Sequence, residues 1–505
     1  MDITNISFGS TLLTIIEQIS TARFVSFDFE FSGISSKSPA NRSQQTLQER
    51  YSELKEAAER YTILQVGITC VEEYDATYVL RPYNFYLNPV IKQDIDIERI
   101  WSNQDSAIRF LLSHGFDMGA PFTKGVEYLS RHEEKLAKLK LKEKLDKSKF
   151  TEDIVVGDAL NVAFLQRVRA KITSWEKSFQ TGDLHINSRK VDNDKDISPP
   201  GLTSFDRRLV HQLVHAEFPH LTTHSRGSSV VIRRLDKRRE KLYKESKSAE
   251  LKIKISQQTG FRWVFEALCG GSFRGIDYRM FARNPVTGVD MFADVDEYSA
   301  RVNGAGQLLA RRRPVLVGHN VFQDLIFLYS TFFDPLPDKV DEFCFRIHQL
   351  FPTIVDTKYL ATHDCGDLNP SSSLGEIELE LRTHLHPQII LHNDHQRYKD
   401  ASPHEAGYDS YLTARIMIQL STKLEDLGES TIDNIPHADG QADNKKVCSS
   451  YHVPFIIFTA SLLHELDADL FRGTEIQEQY ASNHKRLLEG LRQQASRIRN
   501  GGETD

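Results

Sequence analysis

Residues 24–34 (FVSFDFEFSGI) alternate bulky apolar with small or acidic positions, the two-residue period of a strand. Upstream, Leu12, Leu13, Ile15, Ile16 and Ile19 form an apolar stripe that predicts a helix over 5–20. Residues 35–46 are polar, contain Pro39 and read as a loop, and 47–60 read as a charged helix. Two further strand-like runs, 61–71 (YTILQVGITCV) and 77–87 (TYVLRPYNFYL), are expected to pair with the first. Helical spacing is read at 106–114, 125–132, 257–268, 295–309, 321–333, 372–382 and 405–421, and the Lys-rich 133–150 reads as an exposed helix or the start of an excursion. Short buried strands are expected at 314–318 and 352–356.

Linker signatures divide this pattern. Residues 187–200 alternate in charge and end in Pro199-Pro200, and 433–446 are polar, followed by a charged helix expected over 475–499. Between the first linker and the return of the core pattern, 201–239 form a compact unit. Its helix sets Arg207 and His211 one turn apart, ahead of a basic strand, 230–235, that contains Arg233 and Arg234.

The net charge of the 505 residues is −7, so any surface for an anionic partner must be local; residues 233–254 hold ten Lys/Arg against four Asp/Glu. Five cysteines without metal-ligand spacing suit a reduced, intracellular protein. The N-terminus lacks the basic start and apolar core of a signal peptide, and the apolar run 453–463 is too short to span a bilayer. The expected setting is nucleus and cytoplasm, with no membrane attachment.

Candidate chemistry starts at Asp28 and Glu30. They share one face of the first strand, so their carboxylates repel unless they are solvated on an edge strand or hold a cation between them. With only oxygen ligands that cation is Mg²⁺ or Mn²⁺. Asp324 lies in the first turn of a helix that follows strand 314–318, with Asn320 the expected N-cap and Gln323 completing a partial capping box. Ser402, Pro403 and Glu405 mark another helix start near His404. His404 and Asp409 would diverge by about 140° on a rigid helix. His404 is therefore expected in a looser segment, with Gly407 letting it turn toward Asp409.

In sequence order these segments are Asp-x-Glu on a strand, Gly-His-Asn-x-x-x-Asp, and His-x-x-x-x-Asp at a helix start. The set resembles the DEDDh exonuclease superfamily, and in particular the poly(A)-specific ribonuclease family. The closer resemblance rests on DFEFSGI (28–34), RPVLVGHNVFQDL (313–325) with PLP (335–337), VDTK (355–358) and HEAGYDSYLT (404–413). It implies an α/β, RNase H-like nuclease core, with a mixed central sheet flanked by helices and a small inserted α/β nucleic-acid-binding module of Arg-x-x-x-His type. The corresponding division is 1–150 and 255–425 for the nuclease, 170–245 for the module and 426–505 for a linker and helical tail.

What the resemblance implies about chemistry is equally specific. Asp28, Glu30, Asp324 and Asp409 would hold two Mg²⁺ ions (Mn²⁺ as an alternative), and His404 would be the general base for 3′→5′ release of nucleotides from RNA. Phe31 and Ile34, with Arg207, His211, Arg233 and Arg234, would contact single-stranded RNA, poly(A) first among the substrates. A homodimer is also implied. Alternatives are a 3′ trimmer of small or non-coding RNAs and an RNA-binding protein with a catalytically weak nuclease fold. Residues 422–505 show no aromatic strand of the RNA-recognition kind, which counts against sensing of an mRNA cap.

Overall fold

The computed structural model describes residues 1–34, 46–74, 77–145, 154–178, 182–189, 201–362, 372–383, 386–399 and 403–432. The loop expected at 35–46 except its last residue, the linker from 190, Ser402, the apolar run at 453–463 and both expected elements beyond 432 lie outside these residues. The chain forms two compact units, one of Met1–Leu136 with Ile253 onward and one of Ala137–Lys252.

The first unit begins with β1 (Asp2–Ile3) and the amphipathic α1 (Phe8–Thr21), then β2 (Phe24–Phe31). Helix α2 (Leu47–Arg60) starts at a capping box between Thr46 and Glu49, two of its orphan N-terminal donors being met reciprocally. Strands β3 (Ile63–Tyr74) and β4 (Thr77–Asn88) follow, then α3 (Asp105–Ser113), α4 (Ala120–Thr123), β5 (Val126–Glu127) and α5 (Arg131–Leu145), whose residues from Ala137 belong to the second unit. The helix expected at 125–132 is thus a short strand and a turn; Val126 and Glu127 pair with Leu87 and Asn88, and sheet pairing overrides local spacing.

The second unit contains α6 (Ala159–Lys177), β6 (Leu184–Ile186), α7 (Ser204–Glu217), β7 (Leu221–Arg226) and β8 (Ser229–Arg234). Its sheet order is β6-β8-β7. Phe164, Val168, Ile172 and Trp175 of α6 pack with Leu209, Val210 and Leu213 of α7 and with Val230 and Ile232 in a separate apolar core.

Helix α8 (Lys237–Thr259) leads back to the first unit, where Gly260, at φ +45°, separates it from α9 (Arg262–Leu268). Next come α10 (Val295–Arg311), β9 (Val315–Gly318), α11 (Phe322–Phe332), α12 (Val340–Leu350), β10 (Ile354–Asp356), α13 (Thr357–Thr362), α14 (Leu374–Leu381), β11 (Gln388–Leu391) and α15 (Ala406–Ile432). The sheet runs β1-β4-β3-β2-β9-β10, with β5 and β11 also pairing with β4. β2, β3 and β4 are antiparallel neighbours, whereas β9 is parallel to both β2 and β10. An antiparallel meander continued by two parallel strands is the mixed, helix-flanked sheet of an RNase H-like core. Among the described residues no helix is long and apolar enough to cross a membrane.

Strand β2 is central and buried on both faces. Phe27, Phe29 and Phe31 enter one core with α1, α9 and α11, and Phe24 enters another with α15. Ser26, Asp28 and Glu30 share the α15 side with Phe24, by strand alternation. Helix α15 sits close because Gly67, opposite Asp28 on β3, has no side chain; a Cβ there would lie 1.8 Å from the Ala406 carbonyl oxygen. Gly67→Ala is therefore expected to push back the start of α15 and lower stability by about 1–3 kcal/mol. Thermal unfolding checks this, and an unchanged melting midpoint contradicts it.

Candidate active site

Polar side chains of β2 and β3 fix the start of α15. Ser26 Oγ donates to the Ser410 carbonyl at 2.7 Å, Thr69 Oγ1 lies 3.0 Å from Ser410 Oγ, and the Ala406 amide donates to Gln65 Oε1 at 3.0 Å. Asp409, in the first turn, is thereby held over the strand that carries Asp28 and Glu30. The helix begins at Ala406, two residues later than the sequence suggested, because the Glu405 carbonyl accepts its first amides, from Tyr408 and Asp409. His404 stands outside the helix.

His404 turns back toward the acids through its own backbone. Its φ is +66°, in the left-handed region that few non-glycine residues occupy, and its amide donates to Asp409 Oδ2 at 3.0 Å. Gly407 does not provide this turn, contrary to expectation. It lies inside α15 and is needed small, because a Cβ would meet Tyr398 Oη at 2.6 Å and Asn84 Cβ at 2.7 Å. Ligand atoms of Glu30, His404 and Asp409 all lie within 4.8 Å of one another. The His404 ring also meets two rings from α3 and its C-cap, Phe110 at 4.9 Å and His114 at 4.2 Å between centroids. Neither was visible as a site residue in the sequence, since α3 reads only as a short amphipathic helix.

Asp324 arrives from the opposite side, in the first turn of α11 beyond the end of β9. The N-cap of α11 is Val321 rather than Asn320, and Val321 has no side chain to cap with. Asp356 Oδ2 accepts the Val321 amide at 3.1 Å, and Asp356 Oδ1 accepts that of Asn320 at 2.9 Å. Asp356 belongs to the VDTK stretch, where sequence reasoning gave it no role.

The electrostatics show that these acids sense one another. Burial, then Asp409, Asp324 and Glu30, push the Asp28 carboxyl well above its usual range. Burial, Asp409 and Asp324 raise Glu30 to about 8. Burial raises Asp324 to about 8, with Asp356 adding to it, and raises Asp409 to about 7 against the stabilising His404 amide. Burial and neighbouring His114 hold His404 below the ordinary histidine value. Half-buried carboxylates crowded this closely cannot all carry charge without a cation. An all-carboxylate set with one imidazole at its edge fits a hard divalent ion such as Mg²⁺ or Mn²⁺.

The expected RNA contacts fare unevenly. Phe31 is 9% exposed and its ring lies 4.4 Å from that of Phe327, so it packs into the core. Ile34, at 42% exposure, remains accessible at the end of the same segment. Arg207, His211, Arg233 and Arg234 belong to the second unit. Arg207 bonds the Gly227 carbonyl and Ser204 Oγ, while the ring nitrogens of His211 lie 2.7 Å from Thr223 Oγ1 and 2.9 Å from Ser225 Oγ. Arg233 pairs with Asp183 at 2.6 Å, and Arg234 lies over the Trp175 ring.

Comparison with known proteins gives a consistent result. The sequence model described as CAF1 family ribonuclease matches residues 3–417. A poly(A)-specific ribonuclease PARN of Xenopus laevis is 25% identical over 446 residues, covering 84% of this chain and 63% of that protein's length. Poly(A)-specific ribonuclease PNLDC1 of Mus musculus is 26% identical over 440 residues, covering 83% of this chain and 71% of that protein. A solved structure of S. pombe Pop2p in its Mg²⁺- and Mn²⁺-bound form aligns with TM-score 0.38 and 13% identity, over 84% of this chain and 93% of that one.

Proposed function

Because the chain belongs to the CAF1 family of ribonucleases, we propose that it is a divalent-metal-dependent 3′→5′ exoribonuclease whose preferred substrate is the poly(A) tail. The observation that carries this reading is the meeting of Glu30, His404 and Asp409 within 4.8 Å, with Asp28 and Asp324 in electrostatic contact with them. The relatives' names supply the substrate class.

Asp28, Glu30, Asp324 and Asp409 are the residues that would hold the cations. Divalent ions held there would make a water more acidic and offset the negative charge that develops on the phosphoryl group. His404 accepts the proton of the attacking water as its oxygen bonds to phosphorus. The P–O3′ bond breaks, the leaving 3′ oxygen gains a proton from solvent, and a 5′-nucleotide is released from the shortened RNA. A base must be unprotonated before it acts, and the lowered pKa of His404 keeps it so at neutral pH. The hydrogen bond from its backbone to Asp409 ties the base to a metal-holding carboxylate without using the ring. Exposed Ile34 offers an apolar contact for a terminal base. In the second unit, the α7 face with Arg207 and His211 and the Arg-bearing β8 offer phosphate contacts of the kind single-stranded RNA requires.

The test is degradation of 3′-oligo(A), mixed-sequence RNA and their DNA equivalents, in Mg²⁺ or EDTA, by wild type and His404→Ala. Oligo(A) RNA should be shortened fastest, only with Mg²⁺, and the variant should slow this by about 10²–10⁴-fold while still binding RNA. Equal rates on all RNAs favour a general 3′ trimmer. Undiminished degradation by His404→Ala removes the histidine from the mechanism.

A further inference from the structure

We infer that Asp356 is a positioning residue for the proposed metal site: its buried carboxylate caps α11 from a neighbouring strand and thereby holds Asp324 where a cation can reach it. The inference rests on the metal-dependent reading above and adds to it a residue outside the metal-holding set.

Helix α11 has an unusual beginning. Its N-cap is a valine, which cannot satisfy the orphan amides of the first turn with its own side chain. The residue before it, Asn320, sits at φ +59°, a conformation that costs free energy unless its surroundings hold it. Asp356 meets both needs. One carboxylate oxygen accepts the amides of Asn320 at 2.9 Å, Lys358 at 2.9 Å and Tyr359 at 3.4 Å; the other accepts that of Val321 at 3.1 Å. The parallel register of β9 and β10 sets Asp356 opposite Gly318, so one side chain secures the starts of both α11 and α13. Thr357 completes the clasp, donating to the Gly318 carbonyl at 3.1 Å and lying 2.9 Å from His319 Nδ1.

Asp356 is not itself placed to hold the ion. It is 4% exposed, and its carboxylate is turned toward the backbone amides at the starts of α11 and α13. Its charge is nevertheless felt at Asp324, whose carboxyl it helps to raise. Asp324 is three residues beyond the cap, so fraying of this one turn displaces it, while Asp28 and Glu30 are carried by β2 and Asp409 by α15.

Asp356→Asn keeps the shape but turns one acceptor into a donor facing an amide. Mn²⁺ binding is measured by calorimetry on the full chain without RNA, alongside oligo(A) affinity in EDTA and nucleotide release across a Mn²⁺ titration. The expected result is Mn²⁺ binding weakened about tenfold or more, RNA affinity in EDTA unchanged, and release restored toward wild type as Mn²⁺ is raised. Mn²⁺ binding equal to wild type overturns the inference. So does loss of the fold in EDTA by both Asp356→Asn and Asp356→Glu, since the carboxylate would then be supporting the sheet. Wild type that binds no Mn²⁺ overturns the metal reading itself, a result distinct from a selective defect in Asp356→Asn.

Discussion

Asp28→Asn is expected to abolish nucleotide release, by about 10³-fold or more, while making the metal-free protein more stable. Both effects have one origin. Asp28 lies at the centre of β2, and burial with Asp409, Asp324 and Glu30 acts against its charge. The amide keeps the shape, cannot serve as an anionic metal ligand, and removes one member of a repelling set. Activity falls because a cation loses a carboxylate; the metal-free fold gains because an amide needs neither to bury a charge nor to take up a proton on folding. Single-turnover assays on 3′-oligo(A) and thermal unfolding in EDTA at pH 8 measure the two arms. A variant within tenfold of wild-type activity removes Asp28 from the site, and a lowered melting midpoint in EDTA refutes the electrostatic account.

The second large effect is a pH dependence that reverses with metal. Ordinary carboxyls titrate near 4, whereas Glu30 and Asp324 titrate near 8 and Asp409 near 7 in the folded, metal-free chain. The folded state therefore keeps protons that the unfolded chain releases. This stabilising term is complete below the unfolded carboxyl range and is lost as pH rises through about 7–8. Buried His319, held near 4, works the other way, but its contribution is complete by about 6.5. The Met1 amine, held near 5, also opposes the trend, as one group against the cluster. Between pH 6.5 and 8.5 the melting midpoint in EDTA should fall. Added Mg²⁺ competes with those protons, so its stabilisation, about 2.7 kcal/mol at a hundredfold excess over Kd, should be larger at pH 8.5 than at 6.5. A Mg²⁺ shift that shrinks with pH contradicts this.

Much of the core was legible because local and tertiary preferences agree there. The period read over residues 24–34 contains β2, which ends at Phe31, and α2 follows its charged pattern from a capping box. The acids and His404 were identifiable from motif order, although only the fold brings them together. Features that depend on a distant partner were less visible. Val126 and Glu127 look helical until β4 pairs with them. The α6 stripe of Phe164, Val168, Ile172 and Trp175 is a helical signal diluted by charged neighbours. The role of Asp356 exists only in the β9–β10 register, and Phe31 looked available to a base because nothing in sequence places Phe327 against it. The turn at His404 rests on a backbone dihedral that its residue type argues against.

The neighbours of β2 also constrain how the protein is made. One edge pairs with β3, soon after it in the chain, but the other must wait for Val315–Val317 of β9. At about 5–20 residues per second on the ribosome, that wait is roughly 15–60 s. During it the nascent chain carries an open hydrogen-bonding edge beside Phe27 and Phe29, an aggregation hazard. The intervening second unit, with its own core, is complete in sequence before β9 is synthesised. On the proposed site, nucleotide release would wait until translation has passed Asp409, and a truncated product ending inside the second unit is expected to need a chaperone rather than to attack RNA.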